Sequence, residues 1–241
     1  MAQPAMIPLP PVEEQGRDAN GDPVGVDRRL YMQLLAFRGR VAETTLVRAI
    51  EVAAIEAVLY RNLYDPLGFG LLTMNEDPAF FVGPLRTWLQ SSVFAEMEYV
   101  PRYGMFGRSY TLGHETNPEE ALLRRPRERA LNPDWPWAVW YPLRRRGSFE
   151  ALSADDQRSM LGEHGRLGMA FGKEGYGVDI RLACYGLDTD DNDFLIGLVG
   201  PSLHRLSLIV QAMRKTRHTS EFLENLGPFF VGQVAYRSSA R

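Results

Sequence analysis

The chain has 241 residues and a mass of 27.3 kDa, with 45% hydrophobic and 24% charged residues. That balance suits one large globular domain or two small ones and excludes a fibrous or wholly disordered chain. Its 27 Lys+Arg against 30 Asp+Glu leave a formal net charge of -3, so nothing electrostatic points to nucleic acid. The single cysteine, Cys184, rules out an intramolecular disulfide and a thiolate-built zinc site, and suits a reducing compartment.

Residues 1–26 lack a basic start and an unbroken apolar stretch, because Pro4, Pro8, Pro10 and Pro11 interrupt it; they are expected to form a disordered arm rather than a signal peptide. No apolar run approaches the roughly 18 residues of a membrane-spanning helix, so no membrane partner and a cytoplasmic location are expected. Residues 28–37, RRLYMQLLAF, then predict a buried strand, and Leu46, Ile50, Ala53 and Ala54 recur at helical spacing over 43–57. AVLYRNLY predicts a second strand stopped at Asp65-Pro66, and 69–74 a third. A helix carrying Phe80, Phe81, Leu85 and Leu89 follows, and a strand over 97–110.

The order β-α-β-β-α-β over 27–112 is followed by a proline-broken, arginine-rich linker, 113–136. The same order then repeats over 137–241: strand 138–144, helix 154–171, strands 178–185 and 194–199, helix 202–215, a short helical segment 220–226 and strand 229–236. Two such units predict an α+β fold of two ferredoxin-like halves, a dimeric α/β barrel within one chain, whose facing sheets can enclose a cavity.

His164 lies on the apolar stripe of the 154–171 helix with Met160, Leu161, Leu167 and Phe171, flanked by Gly165 and Gly168. An imidazole there suits either an axial ligand of a flat iron cofactor or a core histidine bonded to a carbonyl. Trp135, Trp137, Trp140 and Tyr141 precede Arg144, Arg145 and Arg146, a pattern for an apolar pocket with a carboxylate-binding rim or for a packed strand ending in a basic turn. DTDDND has a calcium loop's first spacings but Asp193 and Val199 where that loop needs glycine and glutamate, so it reads as a turn. No phosphate loop and no nucleophile elbow are present.

The segments WAVWYPLRRR, DQRSMLGEHGRLGMAFG, RLACYGLDTDDNDF and QAMRKTRHTSEFLENLGPFFVG, in this order, resemble the chlorite dismutase superfamily of heme proteins, which includes the peroxide-dependent coproheme decarboxylases. LYMQLLAFRG and YVPRYGMFGRSY are similar to its first repeat more faintly. The resemblance implies heme b or coproheme as cofactor, a small oxidant such as hydrogen peroxide, and a homo-oligomer, often a pentamer. It implies His164 as the proximal iron ligand and Tyr141, of a Tyr-Pro pair, as the residue that becomes a radical and attacks a propionate. Trp140, Phe149 and Gly168 are implied around the cofactor. Arg145 stands where one decarboxylase branch has lysine, and Phe149 where it has tryptophan. The distal position falls on Asp179 or Gly177 depending on the direction of counting, and Arg181, two residues along the same strand face as Asp179, keeps open the reading of chlorite dismutases, which use an arginine in this region. For the proximal histidine's usual carboxylate partner, His218 or Arg217 stands nearest, with Glu221 close by. The reactions implied are oxidative decarboxylation of coproheme or chlorite dismutation, with a non-catalytic porphyrin-binding protein and a cofactor-free barrel as the alternatives.

Overall fold

A computed structural model describes residues 9–239. The expected disordered arm is in part ordered: β1 (Glu14–Arg17) and β2 (Pro23–Val26) pair within it as an antiparallel hairpin. Asp18 Oδ1 closes its turn by accepting from the amides of Asn20 (2.8 Å) and Asp22 (2.9 Å), and Glu14 ties it down by accepting from Arg108 at 2.7 Å. Residues 1–8 of that arm lie outside the described residues.

The first unit runs β3 (Tyr31–Arg38), α1 (Glu43–Ala53), β4 (Ala57–Asn62), β5 (Gly68–Asn75), α2 (Ala79–Val82), α3 (Pro84–Ser91), the short β6 (Glu98–Tyr99) and β7 (Met105–Arg108). Helix α1 is shorter than expected, since Ala54 turns left-handed at φ 52°. The expected 97–110 strand is broken by a 3-10 turn at Pro101–Tyr103, where proline cannot donate to the ladder. The expected linker holds a π turn, Glu120–Arg124, running into α4 (Arg125–Leu131). Pro126 occupies the first turn of α4, where its missing N–H breaks no bond, and Leu122, Leu123, Ala130 and Leu131 are buried with the interior core.

The second unit runs β8 (Trp137–Arg145), α5 (Gly147–Glu150), α6 (Ala154–Lys173), β9 (Val178–Ala183), β10 (Phe194–Gly200), α7 (Leu203–Met213), α8 (Arg217–Phe222), β11 (Leu223–Leu226) and β12 (Phe230–Arg237). The helical segment expected over 220–226 is thus half strand, because Leu223–Leu226 pairs with β8.

Each unit orders its four main strands alike, β7-β3-β5-β4 and β12-β8-β10-β9. The β4–β12 and β7–β9 pairings join them into a closed antiparallel barrel. This is the expected doubled ferredoxin-like fold. Alternation along the strands sends Met32, Leu34, Val58, Tyr60, Leu72, Ala138, Trp140, Ile180 and Leu182 inward as one core. On the outer face of the second sheet, Val139, Tyr141, Leu198 and Val231 pack with Leu206 and Ile209 of α7, each such buried side chain contributing about 1.5–3 kcal/mol.

Candidate active site on the outer face of the second sheet

Helix α6 begins at Ser153, whose Oγ accepts from the Asp156 amide at 3.1 Å and donates to the Asp156 carboxylate at 2.7 Å. Asp155 and Asp156 at its start and Lys173 at its end complement the helix dipole. In its twenty residues only Met160 is buried. Nothing comes within 4 Å of where a Cβ on Gly165 would stand. Glycines in a helix interior cost about 1 kcal/mol each, so the chain keeps space beside His164 at some expense.

His164 Nδ1 lies 3.3 Å from Thr216 Oγ1, and that hydroxyl reaches the Met213 carbonyl at 2.8 Å. The same hydroxyl also lies 3.2 Å from Thr219 Oγ1; with its hydrogen given to either acceptor it can take Nδ1–H, the tautomer that leaves Nε2 a free lone pair. Burial lowers the His164 pKa below its usual 6.5, Asp179 opposes the shift, and Arg181 and Arg145 reinforce it.

Those three charged residues stand on the sheet face that carries Tyr141. Register places Tyr141, Ile196 and Arg181 in one row across β8, β10 and β9, and Val139, Leu198 and Asp179 in the next. Tyr141 is buried with its ring stacked on Phe229 at 4.7 Å between centroids. Burial, reinforced by Asp179, drives its phenol pKa well above 10. Asp179 accepts ion pairs from Arg181 at 3.3 Å and Arg129 at 3.5 Å. The Arg145 guanidinium is sandwiched, its Cζ 4.7 Å from the Phe149 ring centroid and 4.5 Å from that of Phe194, a placement worth about 0.5–2 kcal/mol per ring. Its Nε is buried without a hydrogen-bond partner.

The expected set is brought together in part. Tyr141, Arg145, Asp179 and Arg181 share the face toward His164, and Phe149 forms the wall between Arg145 and His218. Trp140 does not belong to this set: one residue from Tyr141, it points into the barrel, against Gly197, where any Cβ would fall 2.5 Å from its ring. Gly168 faces α7, since a Cβ there would stand 3.4 Å from Met213. The partner of His164 is Thr216 rather than His218, Arg217 or Glu221.

Two residues of the site escaped the sequence. Tyr110, just beyond β7 of the other half, lies 5.6 Å from Phe194, and burial raises its phenol pKa against the pull of Arg181 and Arg145. Strand parity gives Tyr110 an outward direction, but only the β7–β9 seam brings it here. Thr216 carried no signal beyond its distance from the family's carboxylate position. A separate cleft of about 990 Å³ on the first half holds no histidine, and its charges are paired, as Arg28–Glu76 at 2.8 Å and Arg127–Glu56 at 3.0 Å.

A family model described as Chlorite dismutase matches residues 84–235. The chain belongs to the chlorite dismutase family. Solved structures similar to this family member include TA0507, provisionally described as a chlorite dismutase, with 15% identity, TM-score 0.67 and coverage of 86% of this chain and 95% of that one. A protein from Thermus thermophilus described as a novel heme-binding protein has 18% identity, TM-score 0.66 and coverage of 86% and 93%. A variant of the Candidatus Nitrospira defluvii chlorite dismutase in complex with cyanide has 14% identity, TM-score 0.65 and coverage of 88% and 92%. At these identities the likeness shows the fold. No curated protein matches in sequence. Among the described residues no helix is long and apolar enough to cross a membrane.

Proposed function

We propose that this chain binds an iron porphyrin, heme b or coproheme, between α6 and the outer face of the second sheet, with His164 Nε2 as the iron's protein ligand. The observation that carries the reading is the Thr216 contact, which holds His164 Nδ1 at 3.3 Å and leaves Nε2 to a ligand. The under-buried α6, the open space at Gly165 and the heme named for the Thermus thermophilus neighbour support it.

With coproheme bound, the reaction is peroxide-dependent decarboxylation of its propionates. The bound group supplies the two-electron reduction of hydrogen peroxide to water. One propionate, one peroxide and one proton give a vinyl group, carbon dioxide and two waters; the bond to the carboxyl carbon and one C–H bond break, and their two electrons reduce the peroxide. Tyr141 takes part by giving up its phenol electron and proton and taking a hydrogen atom from the propionate chain. Stacking on Phe229 holds its ring, and burial keeps its proton in place until that electron leaves. Arg145 offers a fixed cation to a carboxylate and donates no proton at working pH.

A second reading, binding without turnover, is favoured by the neutral Thr216 in place of a carboxylate partner, which leaves the imidazole a weaker electron donor. Mass spectrometry of porphyrin extracted after peroxide treatment separates the two. Successive losses of carbon dioxide, absent in Tyr141→Phe, are the decarboxylase result, and unmodified coproheme in both proteins is the result for binding alone. Oxygen release from chlorite that disappears in Arg181→Ala would assign dismutation instead.

A further inference from the structure

The β1–β2 hairpin directs its bonds at one turn of the first half, the turn that follows Tyr110. Glu14 Oε2 accepts from the Thr111 amide at 3.0 Å, and Oε1 accepts from Arg108 at 2.7 Å with Arg29 3.7 Å away. The Thr111 hydroxyl donates to the Gln15 carbonyl at 2.7 Å and stands 3.3 Å from the same carboxylate. Two residues on, the Arg17 amide donates to the Glu115 carbonyl at 2.8 Å. Between these bonds Gly16 is the one buried residue of β1, and a Cβ there would fall 2.8 Å from Pro118 Cβ. The Glu14 side chain is only 15% exposed, so solvent screens these charge-assisted bonds little.

Tyr110 depends on them. Strand β7 ends at Arg108, and past Ser109, whose amide donates to the Leu30 carbonyl at 2.8 Å, no sheet bond holds the chain among the described residues. The Tyr110 ring nevertheless stands against Phe194, at 5.6 Å between centroids, on the ring that carries the Arg145 guanidinium at 4.5 Å. Its hydroxyl makes no hydrogen bond among the described residues, so nothing at the phenol end fixes it. The fixing comes from the next residue, through Thr111 and Glu14.

We infer that the hairpin is a strap that sets Tyr110 in the wall of the site, with Glu14 as the positioning residue and Gly16 as the contact that lets the strap lie flat on Pro118. Ordering the ring before a ligand arrives removes a cost that binding would otherwise meet. The effect on ligand affinity rests on the porphyrin reading; the hold of Glu14 on Tyr110 does not.

The test uses the full chain labelled with 3-fluorotyrosine. Among its 10 tyrosines, the Tyr110 and Tyr60 fluorine resonances are identified by their loss in Tyr110→Phe and Tyr60→Phe. In the porphyrin-free protein, Glu14→Ala and Gly16→Leu should each move the Tyr110 resonance toward that of free fluorotyrosine. The resonance of Tyr60, inside the barrel, should stay in place. Coproheme affinity should fall about three- to tenfold in both variants, the worth of one hydrogen bond, and not at all when either substitution is made in the Tyr110→Phe background. A Tyr110 resonance unmoved in both variants, or a Tyr60 resonance that moves with it, would overturn the strap. So would coproheme binding at unchanged affinity, or an affinity loss of equal size in the Tyr110→Phe background. Absence of coproheme binding with the Tyr110 resonance moved as stated would overturn the porphyrin reading alone.

Discussion

His164 Nδ1 lies 3.3 Å from Thr216 Oγ1, whose hydroxyl reaches the Met213 carbonyl at 2.8 Å. The orienting partner of the candidate ligand is therefore neutral, and its direction is fixed by the end of α7. Thr216→Ala should weaken ferric heme affinity about 10–100-fold, the usual effect of removing a ligand's orienting partner. Thr216→Glu should make the imidazole more electron-donating and lower the iron midpoint potential. Spectroelectrochemical titration checks both, and an unchanged potential in Thr216→Glu would contradict the assignment.

Tyr141→Phe should leave the melting temperature of the porphyrin-free protein within a few degrees of the wild type. The ring keeps its 4.7 Å stack on Phe229, and its hydroxyl makes no hydrogen bond among the described residues. The same variant should lose carbon dioxide release from coproheme, so stability and chemistry separate at one atom.

Acid should destabilise the porphyrin-free protein through His218. Burial, then Arg145 and then His164, lower its pKa from 6.5 to about 4, so the unfolded chain takes up the proton first as pH falls. The stability this neutral imidazole allows is fully present above pH 6.5 and is lost progressively down to about pH 4. Urea unfolding at a series of pH values should show that slope, and His218→Phe should flatten it.

Self-association should give a light-scattering mass several times 27.3 kDa. The first half leaves large apolar side chains in solvent, Val52 and Val82 at 72% and Tyr64 at 70% exposed, which a second copy would cover. A monomer at micromolar concentration would contradict this expectation.

The doubled strand-helix order was legible because the main strands carry apolar runs, as LLAF in β3, GFGLLTM in β5 and FLIGLV in β10, and turns are marked by Gly, Pro or Asp, as at Asp65-Pro66. The hairpin at 14–26 was hidden because its strands, EQGR and PVGV, bury little, and their order depends on Arg108 and Thr111, far along the chain. Pro126 masked α4, being read as a breaker when it sits in the helix's first turn. In the site, His164 and Tyr141 were visible as local patterns. Trp140 was misplaced because an aromatic run shows no face by itself; the period of two does, and it sends neighbours to opposite sides. Thr216 and Tyr110 reach the site only through tertiary packing, one from the end of α7 and the other from the opposite half of the barrel.

The central claim is that His164 holds a porphyrin iron, and an absorption titration with ferric heme and with coproheme tests it directly. The wild type should bind one porphyrin per chain with a histidine-ligated Soret band. His164→Ala should lose that band and recover it with added imidazole. An unchanged Soret band and affinity in His164→Ala, with no effect of imidazole, would contradict the account.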